Sequence, residues 1–145
     1  MGSLAQLFSG ANFRVTIQKY CNEKGWRIND INDSRAILKF SMDSGRTQTL
    51  YIIKYESTLE FSVPSVFSFD SVDNIPHYIS TLLLKRSSEK KIGFWCIEQI
   101  GNKQVFSCMH NAEMQLIDSR YFAAVVTALV LECDELESVI LNILR

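Results

Sequence analysis

Four side chains able to do chemistry fall close together in the segment KIGFWCIEQIGNKQVFSCMHNAEMQL, residues 91–116: Trp95, Cys96, Cys108 and His110. Two chemistries would use them. A zinc site needs three or four Cys, His or carboxylate ligands converging tetrahedrally. A thiol nucleophile needs a base within hydrogen-bond reach and a third group that orients the base. Cys108 and His110 are two residues apart, so on a strand they share a face, but their Cβ atoms stand too far apart for good direct contact. Whether Cys96 joins them depends on the turn. A two-residue turn at Gly101-Asn102 pairs Cys96 with Ser107 and points it away from Cys108. A three-residue loop ending at Lys103 pairs Cys96 with Cys108 and Phe94 with His110. Glycine in first position suits a type II′ turn, which favours the shorter loop. Even the longer one supplies three ligands with no CxxC or HxxxH spacing. The segment reads as a structural hairpin with buried, reduced thiols and a hydrogen-bonded histidine. It calls for no metal, no cofactor and no catalytic residue.

Other reactive patterns are missing. The chain has no GxGxxG, GxxxxGK[ST], HExxH, GxSxG or CxxC. Asp70-Ser71-Val72-Asp73-Asn74 lacks the glycine and terminal glutamate of a calcium loop, and reads as a helix-capping loop. Glu132, Asp134, Glu135 and Glu137 read as the solvated face of an amphipathic helix. Lys85 to Lys91 carries four positive charges and one negative without interleaved aromatics, the pattern of a solvated helix end rather than a nucleic-acid surface. His77 reads as a surface residue.

The elements that must position these residues follow from periodicity. Phe13, Ile17, Tyr20 and Cys21 recur at helical spacing, and Gly25 fits a C-terminal cap. The period then changes to two. Trp26–Ile31 can add a first strand, Ala36, Leu38, Phe40 and Met42 alternate, Thr47–Tyr55 is β-rich, and Leu59, Phe61 and Val63 alternate up to Pro64. Val66–Asn74 reads as a loop. Pro76 marks the first turn of a second helix, capped by Asp73 or Asn74, with Tyr78, Ile79, Leu82 and Leu83 as its apolar stripe. After the hairpin, Asp118 caps a last helix reaching toward Arg145, with Phe122, Val126, Leu129, Cys133, Leu136, Ile140 and Ile143 on one stripe. The order α-β-β-β(-β)-α-β-β-α predicts an α+β fold, a single antiparallel sheet packed by helices, in one domain over residues 1–145 with a flexible N-terminus over 1–10.

Composition narrows the setting. The chain has 145 residues, a formal net charge of −1 and 47% hydrophobic residues, so nothing biases it toward nucleic acid or an anionic membrane. The start lacks a secretory signal, and no apolar run approaches the roughly 20 residues that cross a bilayer. Four cysteines spread thinly through apolar segments suit reduced thiols. A soluble cytoplasmic protein is expected.

Tyr121, Val125, Val130, Leu131, Val139 and Leu144 lie outside the last helix's stripe, so from Tyr121 to Leu131 it is apolar nearly all round. Such a helix must be covered on every side. A two-fold partner would supply the second cover, which predicts a homodimer. In the alternative, Val66, Phe67 and Phe69 fold over the helix within one chain. The candidate protein-binding or dimer surface is therefore Tyr121, Val125, Val130, Leu131, Val66, Phe67 and Phe69.

Several landmarks carry a family resemblance: Gly25-Trp26 after the first helix, the meander closing at LEFSVPS, Ile92-Gly93-Phe94 opening the hairpin, and Asp118 before the last helix. From about Phe13 to Leu144 the chain is similar to the bacterial YbjN family, whose fold resembles that of type III secretion chaperones. That resemblance implies a non-enzymatic protein-binding, chaperone-like or regulatory module, working as a dimer. The competing reading is a small-molecule-binding regulator or degenerate enzyme with a pocket near Trp95 and His110.

Overall fold

A computed structural model describes residues 10–144. Helix α1 (Gly10–Lys24) precedes strands β1 (Ile28–Ile31), β2 (Arg35–Ser41), β3 (Thr47–Tyr55) and β4 (Thr58–Phe69). Helix α2 (His77–Glu89), strands β5 (Phe94–Ile100) and β6 (Lys103–Glu113), and helix α3 (Ser119–Ile143) complete the chain. The strands form one six-stranded sheet in the order β1-β2-β3-β4-β6-β5, antiparallel throughout. This is the α+β architecture predicted. Apart from Gly10, which opens α1, the N-terminal segment expected to be flexible lies outside the described residues.

Helix α1 ends where its sequence says it must. Gly25 adopts φ +70, its N–H bonds Asn22 O (3.1 Å), and the Trp26 N–H bonds Cys21 O (2.9 Å). This pair of bonds is a Schellman motif, and it needs a residue tolerant of positive φ. Phe13, Ile17 and Cys21 are fully buried on the face that α1 turns to the core. The Tyr20 hydroxyl donates to Ile117 O (3.1 Å), tying α1 to the entry of α3.

The sheet's inner face follows the alternation. Ala36 and Leu38 on β2 pair with Ile52 and Leu50 on β3, and Ile52 pairs with Phe61 on β4. All five are fully buried. Asp118 caps α3, its carboxylate accepting from the Tyr121 N–H (2.7 Å). One turn on, Phe122 is fully buried among the rings of Tyr20, Trp26 and Phe61. The buried stripe ends at Ile140, and Ile143 is exposed.

Three expectations are corrected. Strand β4 does not stop at Pro64, and Val66, Phe67 and Phe69 belong to the strand, not to a loop. A register shift lies between Pro64, opposite Ser107, and Ser68, opposite Val105. Proline lacks an N–H and is tolerated in a sheet at such a bulge. Helix α2 starts at His77 with Pro76 in the cap position, which makes no side-chain capping bond. Asp73 and Asn74 instead form a short 3₁₀ turn, where Ser71 Oγ accepts from the Asp73 N–H. Finally, α2 stays helical to Glu89, so most of the run Lys85–Lys91, read as a solvated helix end, lies within the helix.

Candidate functional site

The hairpin takes the shorter register. Ile100 pairs with Lys103, Cys96 with Ser107 and Trp95 with Cys108, and Gly101 sits at φ +62 as the first turn residue. Cys96 and Cys108 therefore lie on opposite faces of the sheet. Burial pushes the thiols of Cys21 and Cys96 up to about 11 and that of Cys108 up to about 12, and raises Cys133 further. A reactive cysteine needs the opposite shift. His110 Nδ1 accepts from the Gly93 N–H (3.1 Å) and Nε2 lies 2.9 Å from the Tyr121 hydroxyl. The proton is thus on Nε2, and burial lowers the ring's pKa. Among the described residues, no group of three or more His, Cys, Asp or Glu could hold a metal ion.

Trp95 and His110 do not share a pocket. The groove at Trp95 is lined by Ser80, Leu83, Leu84, Trp95, Cys96 and Ile97, between α2 and β5, and His110 is not among them. The indole itself is turned inward, its Nε1–H donating to Glu132 Oε2 (2.7 Å).

That carboxylate belongs to a network the sequence reading missed. Glu132 and Glu137, taken as solvated, are 5% and 1% exposed. Glu132 accepts both Nε (2.8 Å) and Nη2 (2.7 Å) of Arg86, with Lys90 Nζ at 2.9 Å. So Arg86 on α2 and Lys90, the residue that caps its C-terminus, are ion-pair partners rather than a solvated end. Burial alone would raise the Glu132 carboxyl, but the bonds from Arg86, Trp95 and Lys90 outweigh it and hold the carboxyl below its usual range. Glu137 accepts from Gln48 Nε2 (2.5 Å) and from the Val66 N–H (2.8 Å), with Arg46 Nε at 3.4 Å. The Val66 N–H, next to the register shift in β4, is thus satisfied by a carboxylate on α3. Asp134 accepts from Arg46, Gln48 and Ser44. These two clusters pin α3 to the sheet and to α2. Their role is structural.

The same packing disposes of part of the predicted interface. Val125 and Val130 are 0% and 5% exposed within the single chain, so they offer nothing to a partner. Strands β3, β4 and β6 and helix α1 pack against α3, and α2 reaches it through Arg86. These elements provide the cover that the apolar helix required. Tyr121 and Leu131 remain exposed, Tyr121 with its hydroxyl beside His110. Val66 is exposed, whereas Phe67 and Phe69 pack partly into the core, Phe69 with its ring 5.4 Å from that of Phe106.

The surface available for binding is the other side of the sheet. Register places Ile37, Tyr51, Ser62, Met109 and Phe94 in one row across it, with Ile53 and Glu60 in the next. The helices pack on the opposite face, against Leu38, Leu50, Ile52, Phe61 and Phe106. The open face holds a depression of about 420 Å³ lined by Tyr51, Ile53, Ser62, Pro64, Ser65, Glu98, Ile100 and Val105. Glu98 Oε1 accepts from Ser107 Oγ (2.8 Å) and Ser62 Oγ (3.2 Å), which fixes the carboxylate at its edge. Strand β5 is the sheet edge on this side, with its Trp95 N–H already donating to Ser87 Oγ of α2 (2.8 Å). It carries no proline or lysine, and Phe94, Ile97 and Ile100 are each about 40% exposed. The other edge, β1, is four residues long, is irregular at Ile28/Asp30, and carries the Asp30–Arg35 ion pair.

No protein-family model matches the chain, and no curated protein matches it. Among solved structures, a chain in the HopA1–SchA chaperone–effector complex superposes with a TM-score of 0.61, covering 93% of this chain and 97% of that one at 6% identity. At that identity the likeness establishes the fold alone, the α+β architecture expected from the sequence. The narrower likeness to the YbjN family rests on the sequence landmarks alone. Among the described residues, no helix is long and apolar enough to cross a membrane.

Proposed function

We propose that this chain is a non-enzymatic, chaperone-like module that binds a protein partner on the open face of its sheet. The observation that carries the reading is that face: apolar side chains on β3, β4, β5 and β6 line a depression that no helix among the described residues covers. A structural neighbour from a chaperone–effector complex supports it, and the raised thiols speak against thiol catalysis in the hairpin. Four free cysteines suit a reducing cytoplasm. The test is affinity capture with wild type and Ile53→Asp in parallel. A defined protein recovered by wild type and lost with the folded variant supports the reading, and identical recoveries refute it.

The homodimer expected from the sequence moves, in this reading, from α3 to the β5 edge. Antiparallel self-pairing centred on Ile97 opposes Phe94 with Ile100 and Cys96 with Glu98, so apolar residues meet and no like charges face each other, and the Trp95 N–H exchanges Ser87 Oγ of α2 for the partner strand. It would continue the sheet with both open faces on one side. Light scattering should return about twice 16.6 kDa, and Ile97→Lys should return the monomer mass. A monomeric wild type refutes the pairing.

A further inference from the structure

We infer that the segment taken by the open face is mostly apolar but carries a lysine or arginine, whose cation sits against Glu98 and Glu60. The inference rests on the protein-binding reading above and names the chemistry of the partner. Glu98 stands at the rim of the apolar depression with one oxygen already fixed by Ser62 and Ser107. Glu60 is on the same face, opposite Ile53, which lines that depression. Among the described residues, neither carboxylate has an ion-pair partner. The basic residues that could reach this face are occupied or distant: Arg35 pairs with Asp30, Lys103 with Asp70, and Lys39 stands on β2, two strands from β4.

The electrostatics agree with the geometry. Burial first, and the Glu98 charge second, raise the Glu60 carboxyl, so the two anions repel each other across a half-buried surface with no cation between them. An apolar segment lying over them would strip water from both charges. Desolvating an unpaired carboxylate is costly, and a partner cation turns that cost into a charge-assisted bond. A neutral segment meets the cost uncompensated, and an acidic one adds repulsion. The face therefore selects by charge as well as by apolar contact.

The test uses short extended peptides of alternating Val and Ser, identical but for a central Lys, Arg, Gln or Glu, with affinity read by fluorescence anisotropy. The Lys or Arg peptide should bind wild type about tenfold tighter than the Gln peptide, and the Glu peptide weakest. That preference should fall below about twofold in Glu60→Gln/Glu98→Gln, checked as folded by circular dichroism, and should shrink at about 0.5 M salt. Equal binding of the Lys and Gln peptides to wild type overturns the inference, as does a preference that survives the double variant or an absence of binding by every peptide. The capture experiment keeps the two readings apart. A partner lost with Ile53→Asp but retained undiminished by Glu60→Gln/Glu98→Gln leaves the protein-binding function standing and removes the cation.

Discussion

Replacing Glu132 by glutamine keeps the outline of the side chain and removes the charge on which three donors converge. Arg86 reaches it through two nitrogens at 2.8 and 2.7 Å, Trp95 Nε1 lies at 2.7 Å and Lys90 Nζ at 2.9 Å. Breaking one side of a buried ion pair costs roughly 3–5 kcal/mol, because the remaining charge stays desolvated. Here the cations keep some access to water, with 17% of the Arg86 and 35% of the Lys90 side chain exposed, and glutamine can still accept one bond. Both effects pull the value toward the low end, and we expect a loss of about 3 kcal/mol. Urea unfolding should show it as a lower midpoint at unchanged slope. Pairing Glu132→Gln with Arg86→Met in a double-mutant cycle should give a coupling well above the ~0.5 kcal/mol within which independent sites add. A single-variant loss under ~1 kcal/mol, or strict additivity, would show that the cluster behaves as a solvated surface pair.

Three further outcomes follow from the packing of the same hairpin. Gly93 sits at φ +86 and a Cβ there would stand 2.6 Å from Leu129 Cδ2, so Gly93→Ala should cost roughly 2–4 kcal/mol in a urea melt, and a neutral result would contradict the packing at this turn. His110 is held neutral, with its folded pKa below the free value. Its stabilisation is complete above about pH 6.5 and declines as pH falls from there through the lowered folded value; an NMR titration midpoint at or above 6.5 would overturn this. Cys108 is 2% exposed, so Cys108→Ser should cost roughly 1–3 kcal/mol without altering metal content, and stoichiometric zinc in wild type that disappears in this variant would reverse our reading of the hairpin.

What could be read in the sequence was what local chemistry decides. Gly25 and Asp118 stop and start helices through bonds to residues within one turn, and Gly101 selects the hairpin register by itself. The β4 bulge was not legible, because whether a chain continues through Pro64 depends on whether the freed backbone finds partners elsewhere. Val66 finds one in Glu137, 71 positions away. The buried acids left a signal that the reading passed over. Glu132 falls in the row Val125, Leu129, Glu132, Leu136, and Glu137 in the row Val126, Val130, Cys133, Glu137, Ile140, and the other residues of both rows are buried. An acid inside an apolar row at helical spacing asks for a buried cation. The candidates were Arg86 and Lys90 at i and i+4, yet nothing local says that α2 lies beside α3.

The open face is the place where pattern and structure disagree most usefully. Tyr51 and Ile53 alternate with Leu50 and Ile52, so β3 is apolar on both sides. A strand of that kind normally lies between two covering layers, whereas an antiparallel sheet with one wet face shows polar residues outward. Here the helices account for one layer, and the described chain provides no second helix layer to lie on Tyr51, Ile53, Pro64 and Ile100. Packing among the described residues does not account for apolar side chains at these positions. The proposed occupant would account for them, and a positive charge on it would meet the serine-held carboxylate of Glu98 at the rim.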